Sequence, residues 1–168
     1  MSSRTLISVE EYLASTFRPD CDYVDGHIEQ RNLGELSHSR IQSRLVVFLA
    51  RYEEPLGIEV LPEIRVQVKP RRFRIPDVCV VLGDPEEQIL TKPPFLCIEV
   101  LSPEDRMTRV EERINDYFAM GVPYAWILDP QTKKAFFATP WTGWQEVKDG
   151  VLRTENPALE VPLSEIFR

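Results

Sequence analysis

Apolar residues along this chain recur with two periods, and the switches between them mark out its elements. Ser8-Val9-Glu10-Glu11 has the form of a capping box, in which a hydroxyl and an acid three residues on satisfy free backbone N–H groups. Ile7 and Tyr12 are placed to staple it, so a short helix is predicted over 8–15. From Tyr23 to Gln30 the pattern alternates around Asp25-Gly26, a strong hairpin turn. His38, Ile41, Leu45, Phe48, Leu49 and Tyr52 follow helical spacing, which predicts a helix over 37–53 with Gly57 as its punctuation.

The period then returns to two. Ile64, Val66 and Val68 alternate with Arg65, Gln67 and Lys69, the signature of a strand with one buried face. A basic turn, Lys69-Pro70-Arg71-Arg72-Phe73-Arg74, follows it. Two nearly continuous apolar runs, 75–82 and 95–101, suit central strands buried on both faces, and the polar, Pro-containing segment 83–94 reads as the loop between them. Ser102-Pro103-Glu104-Asp105 has the cap, proline and acids of a helix start. The stripe Met107, Val110, Ile114, Tyr117 and Phe118 continues that helix to Gly121. Strands are predicted at 124–128 and 134–138, and at 145–147 and 151–153 flanking Asp149-Gly150, before a helical turn over 162–167. The order is αβββαβ with extra hairpins at both ends, an α/β domain with a mixed central sheet flanked by helices. No repeat or linker divides the 168 residues, so one domain over 1–168 is expected.

Composition narrows the functional classes. A chain of this length buries enough surface to fold without a disulfide or structural metal. Cys21, Cys79 and Cys97 form no close pair, and two His residues are too few for a His-rich metal site. The polar start, Met1 to Thr5, lacks the apolar stretch of a signal peptide, and no apolar run approaches a membrane span. A cytoplasmic protein with no membrane partner is therefore expected. The formal net charge of -7 excludes a protein that grips nucleic acid over its whole surface, though not one with a local basic patch.

Two carboxylates sit in apolar company. Asp77 lies in Ile75-Pro76-Asp77-Val78-Cys79-Val80-Val81, and Glu99 in Phe95-Leu96-Cys97-Ile98-Glu99-Val100-Leu101. A buried carboxylate costs several kcal/mol unless it is paired, protonated or bound to metal. Singly, Asp77 reads as a solvated strand start and Glu99 as a strand end paired with an Arg. On two adjacent strands they repel, and a divalent cation such as Mg²⁺ relieves that repulsion.

These strings, with Ser102-Pro103 after the second, resemble the Uma family of putative restriction endonucleases, a branch of the PD-(D/E)XK nuclease superfamily. The resemblance continues in Tyr23-Val24-Asp25-Gly26, in His38 opening a helix and in the segment from Tyr117 to Val122. It extends through Ala125-Trp126-Ile127-Leu128-Asp129-Pro130 to the ending Val161-Pro162-Leu163-Ser164-Glu165-Ile166-Phe167, covering nearly the whole chain in order. It implies a restriction-endonuclease-like core, Mg²⁺ or Mn²⁺ held by Asp77, Glu99 and the carbonyl of Val100, and hydrolysis of DNA. Dimers are frequent in the superfamily, so the resemblance is compatible with a homodimer and leaves the oligomeric state open.

One departure concerns the motif Lys. The superfamily places it two residues after the Glu, where this chain has Leu101. Members of the family place it four residues before the helix Tyr, where this chain has Arg113. Arg113 either steadies charge on a phosphate or is a stripe-edge Arg paired with Glu112 or Asp116; it cannot serve as a general base. The departure supports an alternative, a catalytically silent nucleic-acid-binding or protein-interaction module on the same fold. His38, Tyr117 and Glu29 are supporting candidates, with a structural His and a solvated hairpin acid as the other readings of the first and last. Lys69, Arg71, Arg72 and Arg74 either bind phosphate or form a solvated turn. Trp126, inside an apolar strand, reads as core, whereas Trp141 and Trp144 remain candidates to stack on bases.

Overall fold

The helix α1 (Val9–Ala14) begins as the capping box requires, with the Ser8 hydroxyl accepting from the Glu11 N–H at 3.1 Å. A computed structural model describes residues 5–32 and 34–168, so most of the polar start lies outside the described residues. Strands β1 (Cys21–Val24) and β2 (His27–Gln30) form the hairpin. Its turn has positive φ at both Asp25 (48°) and Gly26 (94°), the twist that a two-residue hairpin loop needs.

The next helix, α2 (Leu36–Leu49), buries His38, Ile41, Leu45, Phe48 and Leu49, the stripe expected from the spacing. It tightens through a 3-10 turn into α3 (Glu53–Leu56) and stops at Gly57, which takes the left-handed conformation. Then come β3 (Ile58–Pro62), β4 (Val66–Lys69), β5 (Arg72–Arg74), β6 (Val78–Leu82) and β7 (Leu96–Val100). Helix α4 (Met107–Met120) leads to β8 (Tyr124–Asp129), β9 (Lys134–Thr139) and β10 (Gly143–Glu146). The chain closes with β11 (Val151–Arg153), β12 (Glu160–Pro162) and α5 (Leu163–Ile166).

The central sheet runs β10-β9-β8-β7-β6-β3. Only β7 and β8 are parallel, and α4 connects them, so the sheet is mixed. Helices α2 and α5 cover one face, over Val60, Val80, Ile98, Trp126 and Leu128. Helix α4 covers the other with Val110, Ile114 and Tyr117, over Cys79, Cys97, Ala125 and Ile127. Each buried Val, Leu or Ile among them contributes about 1.5–3 kcal/mol relative to exposure. A second sheet, β2-β1-β5-β4, stands at the edge of this layer, with α1 packed on Tyr23 and Phe73. All three cysteines are buried free thiols. No described helix is long and apolar enough to cross a membrane.

The αβββαβ order holds, but its first strand is 58–62 rather than 64–68. The expected strand, β4, belongs to the second sheet, paired with β5. Segment 58–62 follows directly on a helix and ends in Pro62, which hides its alternation of Ile58 and Val60. The expected helix start at 102–105 is a turn instead. The Asp105 carboxylate folds back to accept from the Ser102 N–H at 2.7 Å, the reverse of a cap, and α4 begins only at Met107. The turn at Asp149-Gly150 does not close a hairpin, since β10 pairs with β9 and β11 with β12.

Candidate active site

Antiparallel pairing of β6 with β7 sets Val78 opposite Ile98, so one step further brings Asp77 opposite Glu99. Alternation turns both toward α4, on the face of Cys79 and Cys97. Asp77 is 3% exposed and Glu99 2%, so each must be satisfied by protein groups or by a bound cation. The structure brings together Asp77, Glu99, Val100, His38, Tyr117 and Arg113, six of the residues singled out from sequence.

Asp77 is held from three sides. Its Oδ2 accepts from the Val100 N–H at 2.7 Å. Its Oδ1 accepts from Arg31 Nη2 at 2.6 Å, and His38 Nε2 lies 3.3 Å from the same oxygen. Gln42 Nε2, from α2, donates to the Asp77 backbone carbonyl at 2.9 Å and fixes the strand start. Burial alone would raise the Asp77 pKa, but the contacts with His38 and Arg31 outweigh it and hold the carboxyl below its ordinary range. For His38, burial disfavours the charged ring, yet the Asp77 carboxylate prevails and the pKa is raised.

Glu99 has weaker support. The Tyr117 hydroxyl donates to its Oε1 at 2.6 Å, and Arg113 Nε stands 3.7 Å from its Oε2. Desolvation pushes its pKa up to about 7; Arg113 opposes this and the nearby Asp77 charge adds to it. The two carboxyls are thus shifted in opposite directions, Asp77 downward by its cationic partners and Glu99 upward by burial. Arg113 also reaches Asp105 Oδ1 at 3.5 Å, rather than Glu112 or Asp116.

A polar cleft of about 290 Å³ lies beside this pair and includes Arg31 and Arg113, the guanidinium partners of Asp77 and Glu99. Arg31, Arg106, Arg109 and Arg113 line it, with Asn32 and Asp105. Arg106 and Arg109 are exposed at its rim, one turn apart at the start of α4. Among the described residues, no three His, Cys, Asp or Glu side chains converge as metal ligands. The donor set instead suits a cation of the Mg²⁺ kind, which one or two carboxylates can hold while water and phosphate complete its shell. The guanidinium on Asp77 Oδ1 shows that the site already accommodates positive charge there.

The basic turn divides differently from expectation. Lys69 and Arg71 are exposed, but Arg72 and Arg74 lie on β5 and turn to the buried acids Asp22 and Asp116 and to Asp25 and Glu29 nearer the surface. Arg74 is 1% exposed and donates to Asp116 Oδ2 at 2.8 Å, Glu29 Oε2 at 2.9 Å and Asp22 Oδ2 at 3.1 Å. Arg72 donates to Asp116 at 2.8 Å and Asp25 at 2.5 Å. Strand alternation sends Arg72 and Arg74 to one face of a sheet that packs on α4, so they neutralise acids instead of meeting solvent. Glu29 belongs to this second cluster and not with Asp77 and Glu99. Trp126 is core, as expected, whereas Trp141 is exposed and Trp144 packs on Phe136.

Sequence reasoning missed Arg31, Asp22 and Asp116. Asp22 and Asp116 are polar letters in otherwise half-buried elements. The alternation Cys21-Asp22-Tyr23 on a strand and the step from Asp116 to buried Tyr117 carried a faint signal. Arg31 follows β2 in an irregular segment and left none.

The family profile described as "Uma2: Putative restriction endonuclease" matches residues 9–165. Among solved structures, a protein from Anabaena variabilis ATCC 29413, titled a putative nuclease belonging to DUF820, superposes with a TM-score of 0.82. That alignment covers 96% of this chain and 97% of the other at 23% identity, so the likeness is one of fold. The DrdV–DNA complex aligns over 65% of this chain and 12% of its own, at 15% identity and a TM-score of 0.37. Among curated proteins, none matches the chain.

Proposed function

Since the chain belongs to the Uma2 family of restriction-endonuclease-like proteins, we propose that it hydrolyses DNA phosphodiester bonds as a Mg²⁺- or Mn²⁺-dependent endonuclease. The observation that carries this reading is the buried pair Asp77 and Glu99, set side by side on β6 and β7, whose partners Arg31 and Arg113 also line a cleft with Arg106 and Arg109.

Asp77 and Glu99, with the main chain at Val100, would hold the cation. When bound, it would lower the pKa of water and offset negative charge on the phosphate. The remaining chemistry falls to the protein's own groups. Val100 N–H and His38 orient Asp77, and the Tyr117 hydroxyl orients Glu99. Arg113, always charged, steadies charge developing on phosphate oxygens but cannot take a proton. Without a cation, burial raises the Glu99 pKa to about 7, so proton and cation would compete for this carboxylate near neutral pH. Arg106 and Arg109 are placed to meet flanking phosphates, and Lys69 and Arg71 are exposed cations for a more distant contact.

A second reading, a silent DNA-binding module, is favoured by one observation: Leu101 and Arg113 stand where the motif allows a Lys. A cleavage assay on plasmid and single-stranded DNA, with Mg²⁺, Mn²⁺ or chelator, separates the two. The enzyme reading expects metal-dependent nicking that Asp77→Ala abolishes. Metal-dependent DNA binding without cleavage, at any enzyme concentration, would favour the silent module.

A further inference from the structure

Asp77 already has a cation on it. Arg31 Nη2 lies 2.6 Å from Oδ1, the His38 ring approaches the same oxygen at 3.3 Å, and Oδ2 is committed to the Val100 N–H. A carboxylate offers about four lone-pair positions, and three protein donors occupy this one. A divalent ion approaching Oδ1 of Asp77 would meet the Arg31 guanidinium there, and two cations on one oxygen repel.

Arg31 is built differently from the other donors. His38 sits on α2 and Val100 on β7, both locked in the core. Arg31 follows β2 in an irregular segment and lines the cleft beside Arg106, Arg109 and Arg113. Its other contact, Glu63 at 3.8 Å, is with a half-exposed acid outside the core. Its side chain can therefore turn from Asp77 into the cleft without breaking a strand or opening the core. In the cleft its planar fork matches a phosphate, which it can grip through two parallel hydrogen bonds.

Resting on the metal-dependent reading above, we propose that Arg31 is a positioning residue that covers Asp77 until cation and DNA arrive together. It yields Oδ1 to the metal and transfers its guanidinium to a DNA phosphate in the cleft. A group that must leave for one ligand and engages the other couples the two bindings, and the coupling is reciprocal. Metal alone then binds weakly, and DNA strengthens it.

The test is the Mn²⁺ dissociation constant, read from the electron paramagnetic resonance signal of free Mn²⁺. It is measured with and without a short DNA duplex, before measurable cleavage. Arg31→Gln, which removes the charge and keeps much of the side chain, should bind Mn²⁺ on the order of 10-fold tighter than wild type without DNA. DNA should tighten Mn²⁺ by a similar factor in wild type and by much less in Arg31→Gln, which should also bind DNA more weakly. Lys148→Gln removes an exposed cation outside the cleft, and its Mn²⁺ affinity should stay within about twofold of wild type with and without DNA. A merely structural ion pair predicts equal or weaker Mn²⁺ binding in Arg31→Gln, and that result overturns the proposal. So does a DNA effect equal in the two proteins. If Mn²⁺ binds and Asp77→Asn abolishes it, such a failure falls on Arg31 alone. If no protein shows Mn²⁺ binding that depends on Asp77, the metal reading falls and this inference with it.

Discussion

Replacing Arg74 by Met should destabilise the fold strongly, and chiefly at neutral pH. The guanidinium is 1% exposed and satisfies Asp22, Glu29 and Asp116 at 2.8–3.1 Å. Met keeps much of the volume but leaves these acids without their shared cation. Asp116 retains Arg72 at 2.8 Å, while buried Asp22 keeps only the Ile75 N–H at 3.2 Å. Removing one partner of a buried ion pair costs about 3–5 kcal/mol. At roughly 2–4 °C per kcal/mol for a chain of this size, the melting temperature should fall by roughly 10 °C. Burial already raises the Asp22 pKa, with Arg74 the first group opposing it, so the variant pushes it higher. A raised carboxyl pKa contributes stability at low pH that is lost as pH climbs through the folded-state value. The gap between wild type and variant should therefore widen as pH rises through the interval between their two folded-state Asp22 values, both above the ordinary 3.8. Thermal melts across pH provide the assay, with Asp22→Asn/Arg74→Met as the companion. Neutralising both partners should recover part of the loss. A single variant melting within about 2 °C of wild type, or a loss independent of pH, would refute the reasoning.

If Glu99 binds the proposed cation, its raised pKa makes metal and proton competitors. This carboxyl, with a folded pKa of about 7 against an ordinary 4.5, stabilises the metal-free protein most at low pH, and that contribution is lost as pH rises through about 7. The Mn²⁺-induced rise in melting temperature should thus be small near pH 5.5 and grow toward about pH 8; a flat profile would count against it. Tyr117→Phe removes the hydroxyl at 2.6 Å from Glu99 and should move that midpoint upward, which the same titration checks. Arg106→Ala with Arg109→Ala should weaken DNA binding for all sequences and make the slope of log affinity against log salt shallower by roughly two; an unchanged slope would remove the rim from the DNA interface.

What could be read in the letters depended on where each residue's partner lay. Asp77 and Glu99 were legible because each breaks an apolar run, and pairing of the two runs was enough to set them side by side. Arg113 and Tyr117 were legible from the helical stripe of α4 combined with the family resemblance. Arg74 was misread because its neighbours in sequence, Lys69 and Arg71, are exposed, while its partners Asp22 and Asp116 lie 52 and 42 residues away. Arg31 was invisible for a related reason, since its contact with Asp77 spans 46 residues and follows no periodic element. The start of α4 was misplaced because Ser102 and Asp105 have the right identities for a cap and use them in the opposite sense. Short-range pattern reports which face is buried; it does not report which charge meets which across the fold.

The most direct test of the account is the single-turnover rate of DNA cleavage measured against Mg²⁺ concentration, for wild type and for Glu99→Gln. That variant keeps the size of the side chain and removes its charge. The account predicts saturable Mg²⁺-dependent cleavage by wild type, and a loss on the order of 100-fold or more in Glu99→Gln with DNA affinity and folding retained. Cleavage by wild type that persists in chelator, or a folded Glu99→Gln protein that cuts at the wild-type rate, would contradict it.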